Sequence, residues 1–570
     1  MSTTLRAPAA SRPAKHVLSP ACSFTELLVG DDVLQLLEDP AFQARWDKLF
    51  HICTWATVFQ SRSFVATWYR LYGKEFYPIL VKREQAGQLT GLITLAVNKN
   101  GLITGAGANQ AEYQVWLTAD ANDELFIKSA LQEVCRFFPG KRILLHFIPA
   151  DVSFGYLKKD PIWNKRCFVK EVPHPLMIVN DEHFTNELRK KNRREKLNRL
   201  RRLGELTFER ISDFDAFNAV FDTMAIQSDF RKGAMYNKTD FTNDALRKKF
   251  LLTLFELNSV HVTVLKLDDK IIASNVSIRD KSHLHLQGLN FHAAAFARYS
   301  PGIIHFLMLG KLLAEENVAV FDLTPGADAY KEILATDHTV ARSLSVGNNY
   351  HNVTSRYSAG LHSFIKNTAT RAGIQQGTLR KWKRKTDLYR IKLKNIMKQG
   401  ISSSFAYAWG QLKRQKKTTT CWVVQKEIAG DVSGLLNIQK DNCKDLLGFD
   451  PREIRYSLQE FLSNSMYRLE EGEHCYTWAE KGKLLGCAWV TNLKPADYEA
   501  NYSGKIEGWI ISLTGLYCHA EGRKQYADFL KAVAAEVAMD SPHNRFYIVT
   551  DSDAHRVFEK CGFQLFELIN

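Results

Sequence analysis

The chain has 570 residues, too many for one hydrophobic core, and its hydrophobic (45%) and charged (24%) contents are those of ordinary globular protein. No apolar run reaches the length of a membrane span, and residues 1 to 20 lack the apolar core of a signal peptide, so a cytoplasmic protein is expected. Its ten cysteines are scattered without a CxxC pair or a Cys/His cluster at zinc spacing, which argues for a reducing compartment and against a metal.

The net charge of +15 is unevenly placed. Residues 366–417 hold 15 Lys/Arg against the single acid Asp387, whereas residues 418–570 hold 16 basic and 22 acidic side chains. Such a basic block is a solvated linker or a surface for a polyanion.

In chain order, residues 1–24 are polar and rich in Pro, Ala and Ser, which predicts a disordered tail. Helical periodicity follows at Phe42–Phe50 and Ser63–Leu71. Tyr77–Arg83, the polar turn Glu84–Gln88 and Leu89–Val97 then predict a β-hairpin. That figure recurs as Val262–Leu267, Asp268–Lys270 and Ile271–Ile278, and again as Cys475–Ala479, Glu480–Lys483 and Leu484–Val490. Three copies at intervals of roughly 200 residues predict a repeated domain.

Two basic stretches stand out. From Arg189 to Arg202 nine of fourteen residues are Lys/Arg, on a predicted helix that Asn180 or Asp181 caps and Gly204 ends. A solvated face is the default reading; an anionic acceptor, a coenzyme phosphate or an RNA backbone are the sharper ones. In the 366–417 link, Leu379, Trp382, Leu388 and Ile391 recur at near-helical spacing among cations, the pattern of an inter-domain strut or of a helix lying on an anionic membrane.

Between them lies Arg298–Lys331, RYSPGIIHFLMLGKLLAEENVAVFDLTPGADAYK. Ser300 and Pro301 write a helix start, Ile303–Ala314 an almost wholly apolar helix, Val318–Leu323 a short buried strand and Thr324-Pro325-Gly326 a turn. An open helix N-terminus between strands is an anion-binding crossover. On the strand before it, His283, His285 and Gln287 share one face by period-two alternation. Asp322, at the end of a buried strand, must be paired, hydrogen-bonded or employed.

The succession SPG, apolar helix, FDLTPG and YK resembles the CelD/BcsL-like acetyltransferase domain of the GNAT superfamily, related to the FemAB transferases, over about residues 180 to 350. The resemblance implies an α/β fold of tandem GNAT lobes, with mixed central sheets flanked by helices. Its expected parts are a disordered tail (1–24), a lobe without a cofactor cradle (25–175), the acyltransferase lobe (176–365), a basic helical linker (366–417) and a C-terminal GNAT-like domain (418–570). It also implies an acyl-CoA, most simply acetyl-CoA, as co-substrate without a metal, and an amine acceptor, small or lipid-linked, such as an amino sugar or a cell-envelope or exopolysaccharide precursor.

In that reading Asp322, Tyr330, Lys331 and His285 are the candidate catalytic residues, with Asp322 as base or orienter and Tyr330 as the acid for the leaving thiolate. Arg298, Ser300 and Gly302 are the candidate donor cradle. The first lobe's equivalent helix opens on Asp120, Asp123 and Glu124, which repel phosphate. In the third, Arg523 fits the superfamily's phosphate loop, but Tyr526 and Asp528 replace small residues, and Phe558 replaces the tyrosine of the usual ending. The expected enzyme is cytoplasmic, with peripheral contact to anionic lipid at the inner face of the membrane open to it through 366–417. Two rivals stay open: a FemAB-like transferase using aminoacyl-tRNA, for which the Arg189–Arg202 stretch would suit RNA, and a non-catalytic membrane-associated assembly protein.

Overall fold

A computed structural model describes residues 24–155, 159–347, 419–425, 436–451, 457–494, 508–539, 545–550 and 555–569. The expected tail, but for its last residue, and the whole basic link lie outside the described residues.

Lobe one opens with β1 (Phe24–Val29), followed by helices Pro40–Ile52 and Arg62–Tyr72 at the two places where helical periodicity was read. The hairpin comes next as β2 (Phe76–Gln85) and β3 (Gln88–Asn98), then β4 (Ile103–Gly105) and β5 (Leu117–Thr118). A crossover helix, Glu124–Phe137, leads to β6 (Ile143–Ile148), which pairs parallel with β4. Asp123 caps that helix and is ion-paired with Arg83, so this acid is neutralised inside the lobe.

Lobe two repeats the plan. β7 (Cys167–Ile178) enters it, and two helices follow, of which the second is basic. The expected single helix is in fact Asp181–Arg189, capped by Asn180, and Lys191–Arg201, broken at Lys190 where ψ is 135°. Like charges at positions three and four apart disfavour continuing through the break, and Glu187 bridges it by pairing with both Lys190 and Arg193. Then come β8 (Leu206–Ile211), helices Phe214–Tyr236 and Leu246–Glu256, and the second hairpin, β9 (Val260–Leu267) and β10 (Lys270–Arg279). β11 (His283–His292), the crossover helix Pro301–Glu315, β12 (Val320–Asp322) and β13 (Asp337–Val346) complete it.

The C-terminal unit has β14 (Thr419–Gln425), β15 (Ile438–Lys440), the third hairpin β16 (His474–Glu480) and β17 (Lys483–Leu493), β18 (Trp509–Cys518), helix Tyr526–Met539, β19 (Arg545–Thr550) and β20 (Gln564–Ile569). All three hairpins turn through residues of positive φ: Ala86 and Gly87, Asp268, and Lys481 and Gly482. That handedness matches the twist of the strands.

Thirteen strands of the two lobes form one sheet, ordered β1-β2-β3-β4-β6-β13-β7-β12-β11-β10-β9-β8 with β5 beside β3. The last strand of lobe two, β13, lies between β6 and β7, so the lobes share hydrogen bonds along their seam. The boundary expected at 175/176 falls inside β7. In the C-terminal sheet, β15-β16-β17-β18-β19-β14-β20, the entering strand likewise lies between the strand after the crossover and the final one.

The two lobes also pack face to face. Phe64 of lobe one meets Phe250 of lobe two edge-on at 5.3 Å, and Val58 N–H donates to Asp280 at 2.8 Å. The C-terminal unit seats helix Leu458–Glu471 on helix Phe214–Tyr236, where Leu462, Met466 and Leu469 form one buried cluster with Phe230, Ala234 and Ala294. Ser463 Oγ donates to the Ala234 carbonyl there. No helix among the described residues is long and apolar enough to cross a membrane.

Candidate active site

β11 and β12 run parallel for three residue pairs, ending at His285 opposite Asp322. β12 stops there; β11 continues to His292. After Asp322 the chain turns through Thr324 (φ 64°) and Gly326 (φ 145°), so the strands part and leave a gap between them. Beside the gap β11 bulges: Asn275 of β10 pairs with Asn290 and Ser277 with Leu286, which leaves Gln287, Gly288 and Leu289 against Val276 alone.

Asp322, only 2% exposed, closes the bottom of the gap. Its Oδ1 accepts from the Thr324 N–H at 2.7 Å and lies 2.7 Å from His174 Nε2; its Oδ2 accepts from the Tyr113 hydroxyl at 2.6 Å and from His285 Nδ1 at 2.8 Å. Burial alone would raise this carboxyl's pKa, but the hydrogen bonds and charges of His174 and His285 outweigh it and hold the pKa far below the usual range. His285 shows the converse. Burial opposes its charge, yet the carboxylates of Asp280 and Asp322 raise it to about 9, so it is an imidazolium at neutral pH. Asp280 stands 3.7 Å from His285 Nε2, in ion-pair rather than hydrogen-bond range.

This geometry corrects two expectations. Four partners surround Asp322 and its affinity for a proton is low, so it is poorly suited to act as a base. The face of His285 and Gln287 does not open to an acceptor either. Lobe one covers it: Gln287 donates to the Gln110 carbonyl at 3.0 Å, and Phe59 and Tyr113 pack on His285. Only His283 is exposed.

Lys331, 4% exposed, donates to the carbonyl and hydroxyl of Thr324 at 3.0 and 3.1 Å. It pins the turn after Asp322. Tyr330 is half-buried and stacked on Phe306 of the crossover helix. Burial, together with the Asp328 charge, raises its phenol to about 12, so it keeps its proton at neutral pH.

The structure gathers Arg298, Ser300 and Gly302 at the turn entering the crossover helix. Ser300 sits at the N-cap position in left-handed conformation (φ 54°) and makes no side-chain cap; its Oγ instead accepts from Lys196 Nζ at 2.8 Å. A methyl at Gly302 would lie 3.3 Å from His292 Nδ1, so glycine lets the helix close onto the end of β11. Arg298 is exposed and leans on Tyr299, close to Gly472 of the C-terminal unit. Arg523 is on the turn Ala520–Gln525 of the other sheet, apart from these three. There Phe558 is fully buried and stacks on Trp422.

Several residues of the site escaped the sequence reading. Tyr113 lies in the irregular stretch between β4 and β5, and His174 between two prolines on β7. Lys196 faces Ser300 from the basic helix. Glu112, beside Tyr113 and half-buried, has its carboxyl raised to about 7 by burial and by Asp322, against the opposing pull of Lys331, Lys232 and His285. For Glu112 and Tyr113 the signal that could have found them was the run Gln110-Ala111-Glu112-Tyr113-Gln114; Lys196 lies within the basic stretch already singled out.

Residues 188–332 match the family model of an acetyltransferase (GNAT) domain. Among solved structures the chain is similar to FemX, at 11% identity over 54% of this chain and 96% of that one, with a TM-score of 0.38. It is similar to L-PGS from Bacillus licheniformis, at 13% over 55% and 92% with a TM-score of 0.35. A tandem GNAT protein from the clavulanic acid biosynthesis pathway aligns at 10% over 57% and 98%, with a TM-score of 0.37. Among curated proteins no significant match is found.

Proposed function

From the acetyltransferase (GNAT) domain that this chain carries at residues 188–332, we propose that it is an N-acyltransferase moving an acyl group, acetyl in the simplest case, from coenzyme A to an amine. The observation that carries the reading is the parting of β11 from β12 above Asp322, inside the matched domain, which opens a slot ending at the crossover turn. A thioester chain lies in that slot, with its phosphates toward Arg298, Lys196 and the N-terminus of the crossover helix.

Glu112 is the base in this scheme. Its carboxyl, raised to about 7 chiefly by burial, takes the proton that the amine sheds as the C–N bond forms. The thioester C–S bond then breaks, and Tyr330 returns a proton to the leaving thiolate. Asp322 and His285, an ion pair under the slot, hold Tyr113 and therefore the neighbouring Glu112 in place. The acceptor is an amine of a sugar or of an envelope precursor.

The test is calorimetric titration of acetyl-CoA into the nucleic-acid-free chain. Saturable one-site binding, lost on Gly302→Glu, supports the reading; absence of binding by every acyl-CoA overturns it. A second reading, with aminoacyl-tRNA as donor, is favoured by one observation: seven basic side chains of Arg189–Arg202 are exposed, on the helix whose Lys196 meets Ser300. Salt-sensitive tRNA binding with no acyl-CoA binding would select it.

A further inference from the structure

Two cations of lobe two converge on one glycine. A methyl at Gly288 would lie 3.1 Å from Arg247 Nη2 and 3.1 Å from Lys232 Nζ. Gly288 is in the bulge of β11, three residues past the last pair with β12, and so beside the gap. Its φ is outside the left-handed region, so no turn requires a glycine there. What the glycine supplies is room next to two positive charges.

Those two charges share a single directly paired carboxylate. Lys232 Nζ stands 3.0 Å and Arg247 Nη1 3.3 Å from the same oxygen of Asp240. The next acid along the helix, Asp229, is already taken up by the N–H groups of Phe241 and Thr242 and by the Thr242 hydroxyl. Arg247 is 7% exposed, and Phe241 packs over its guanidinium. Burial, and then the Arg247 charge, lower the Lys232 pKa against the pull of Asp240 and Asp229. Glu112 is close enough to feel Lys232.

We propose that Lys232 and Arg247, over Gly288, form a subsite for an oxyanion, a phosphate or carboxylate carried by the acceptor, which places the acceptor amine on the Glu112 side of the gap. This rests on the acyltransferase reading for its role, though not for its binding chemistry. A lysine and an arginine converging over a residue without a side chain bind an oxyanion by charge-assisted hydrogen bonds.

The experiment titrates inorganic phosphate and, separately, acetate into the full chain at constant ionic strength, followed by calorimetry and by thermal unfolding. Saturable binding of one of them is expected, at least tenfold weaker in Arg247→Gln, and the preferred anion tells phosphate from carboxylate. Because Arg247 is buried and its loss can unfold the lobe, Gly288→Asp is the second variant: it puts a carboxylate between the cations. It should abolish anion binding and unfold at or above the wild-type temperature. Binding that survives Gly288→Asp but disappears in Lys191→Ser/Arg194→Ser, on the exposed basic helix, overturns the proposal, as does absence of binding by either anion. Acetyl-CoA titration of the same proteins separates the two levels. If the wild type binds phosphate at the pair and no acyl-CoA, the acyltransferase reading fails and the subsite stands.

Discussion

His285 and Asp322 are the last rung of the parallel pairing between β11 and β12, and their side chains form an ion pair of 2.8 Å with both groups buried. Breaking one partner of such a pair strands the other in low dielectric, at a cost of about 3 to 5 kcal/mol. Asp322→Asn is therefore expected to lower unfolding stability by about 3 kcal/mol as well as to slow acyl transfer. Denaturant unfolding checks the first and turnover the second; a variant as stable as wild type would deny the pair its structural role.

The same pair sets a pH window. The folded-state pKa of His285 is raised to about 9 from an ordinary 6.5, so its contribution is complete below 6.5 and disappears as pH rises through 9. Asp322 is depressed, so its contribution is present above the ordinary carboxylate range and is lost on acidification. Roughly 3 kcal/mol of stability should therefore be lost between about pH 6.5 and 9, and His285→Gln should flatten that slope. Unfolding free energies across the range measure it.

Glu112 runs opposite to most carboxylates. Its folded-state pKa is raised to about 7 from 4.5, so the protonated form favours folding below 4.5 and that contribution is lost as pH rises through 7. The rate should move the other way. kcat/KM should climb with an apparent pKa near 7, and Glu112→Gln should remove that limb and lower the plateau by about 10²-fold. A profile unchanged by Glu112→Gln would return the base to some other group.

Gly310 tests the packing that carries the crossover helix. An added methyl there would come within 2.7 Å of the Phe184 ring, itself fully buried. Gly310→Ala should cost about 1 to 3 kcal/mol by overpacking, despite the better helix propensity of alanine. Thermal unfolding reads the outcome, and a more stable variant would show that Phe184 can move aside.

Gly302→Glu puts bulk and negative charge at the helix N-terminus, where the nearest neighbour of a methyl would be His292 Nδ1 at 3.3 Å. Acetyl-CoA affinity should drop at least tenfold with the unfolding midpoint nearly unchanged, since the residue is half-buried at a helix start. Gly302→Ala should drop it far less.

The hairpins were legible because each writes its own turn: alternation on both sides of a polar dipeptide that accepts positive φ, as Lys481-Gly482 does. The crossover helix was legible from Ser300-Pro301 and the apolar run behind it. The centre of the site was only half legible. Asp322 announced itself as a carboxylate in a buried strand, but Tyr113 and His174 are 209 and 148 residues away from it in sequence, and no local pattern predicts contacts at such separations. Lys331 misled for the same reason, since a lysine that follows a turn reads as exposed until its three-dimensional neighbours, here Thr324 and Pro325, are known.

The strand exchange at the seam bears on how this protein can be cut. Because β13 lies between β6 and β7, lobe one owes its sheet edge to a segment far downstream of β6, where Arg342 pairs with Ile148 and Val346 with Ile143. A fragment ending at residue 175 would sever β7 and expose the bare edge of β6 to any passing strand. Lobe two alone would keep β13 but leave the half of it that faces β6 without partners. For expression or deletion mapping, residues 24–347 are thus the smallest indivisible piece, and an inactive truncation inside them would report aggregation before it reported anything about chemistry.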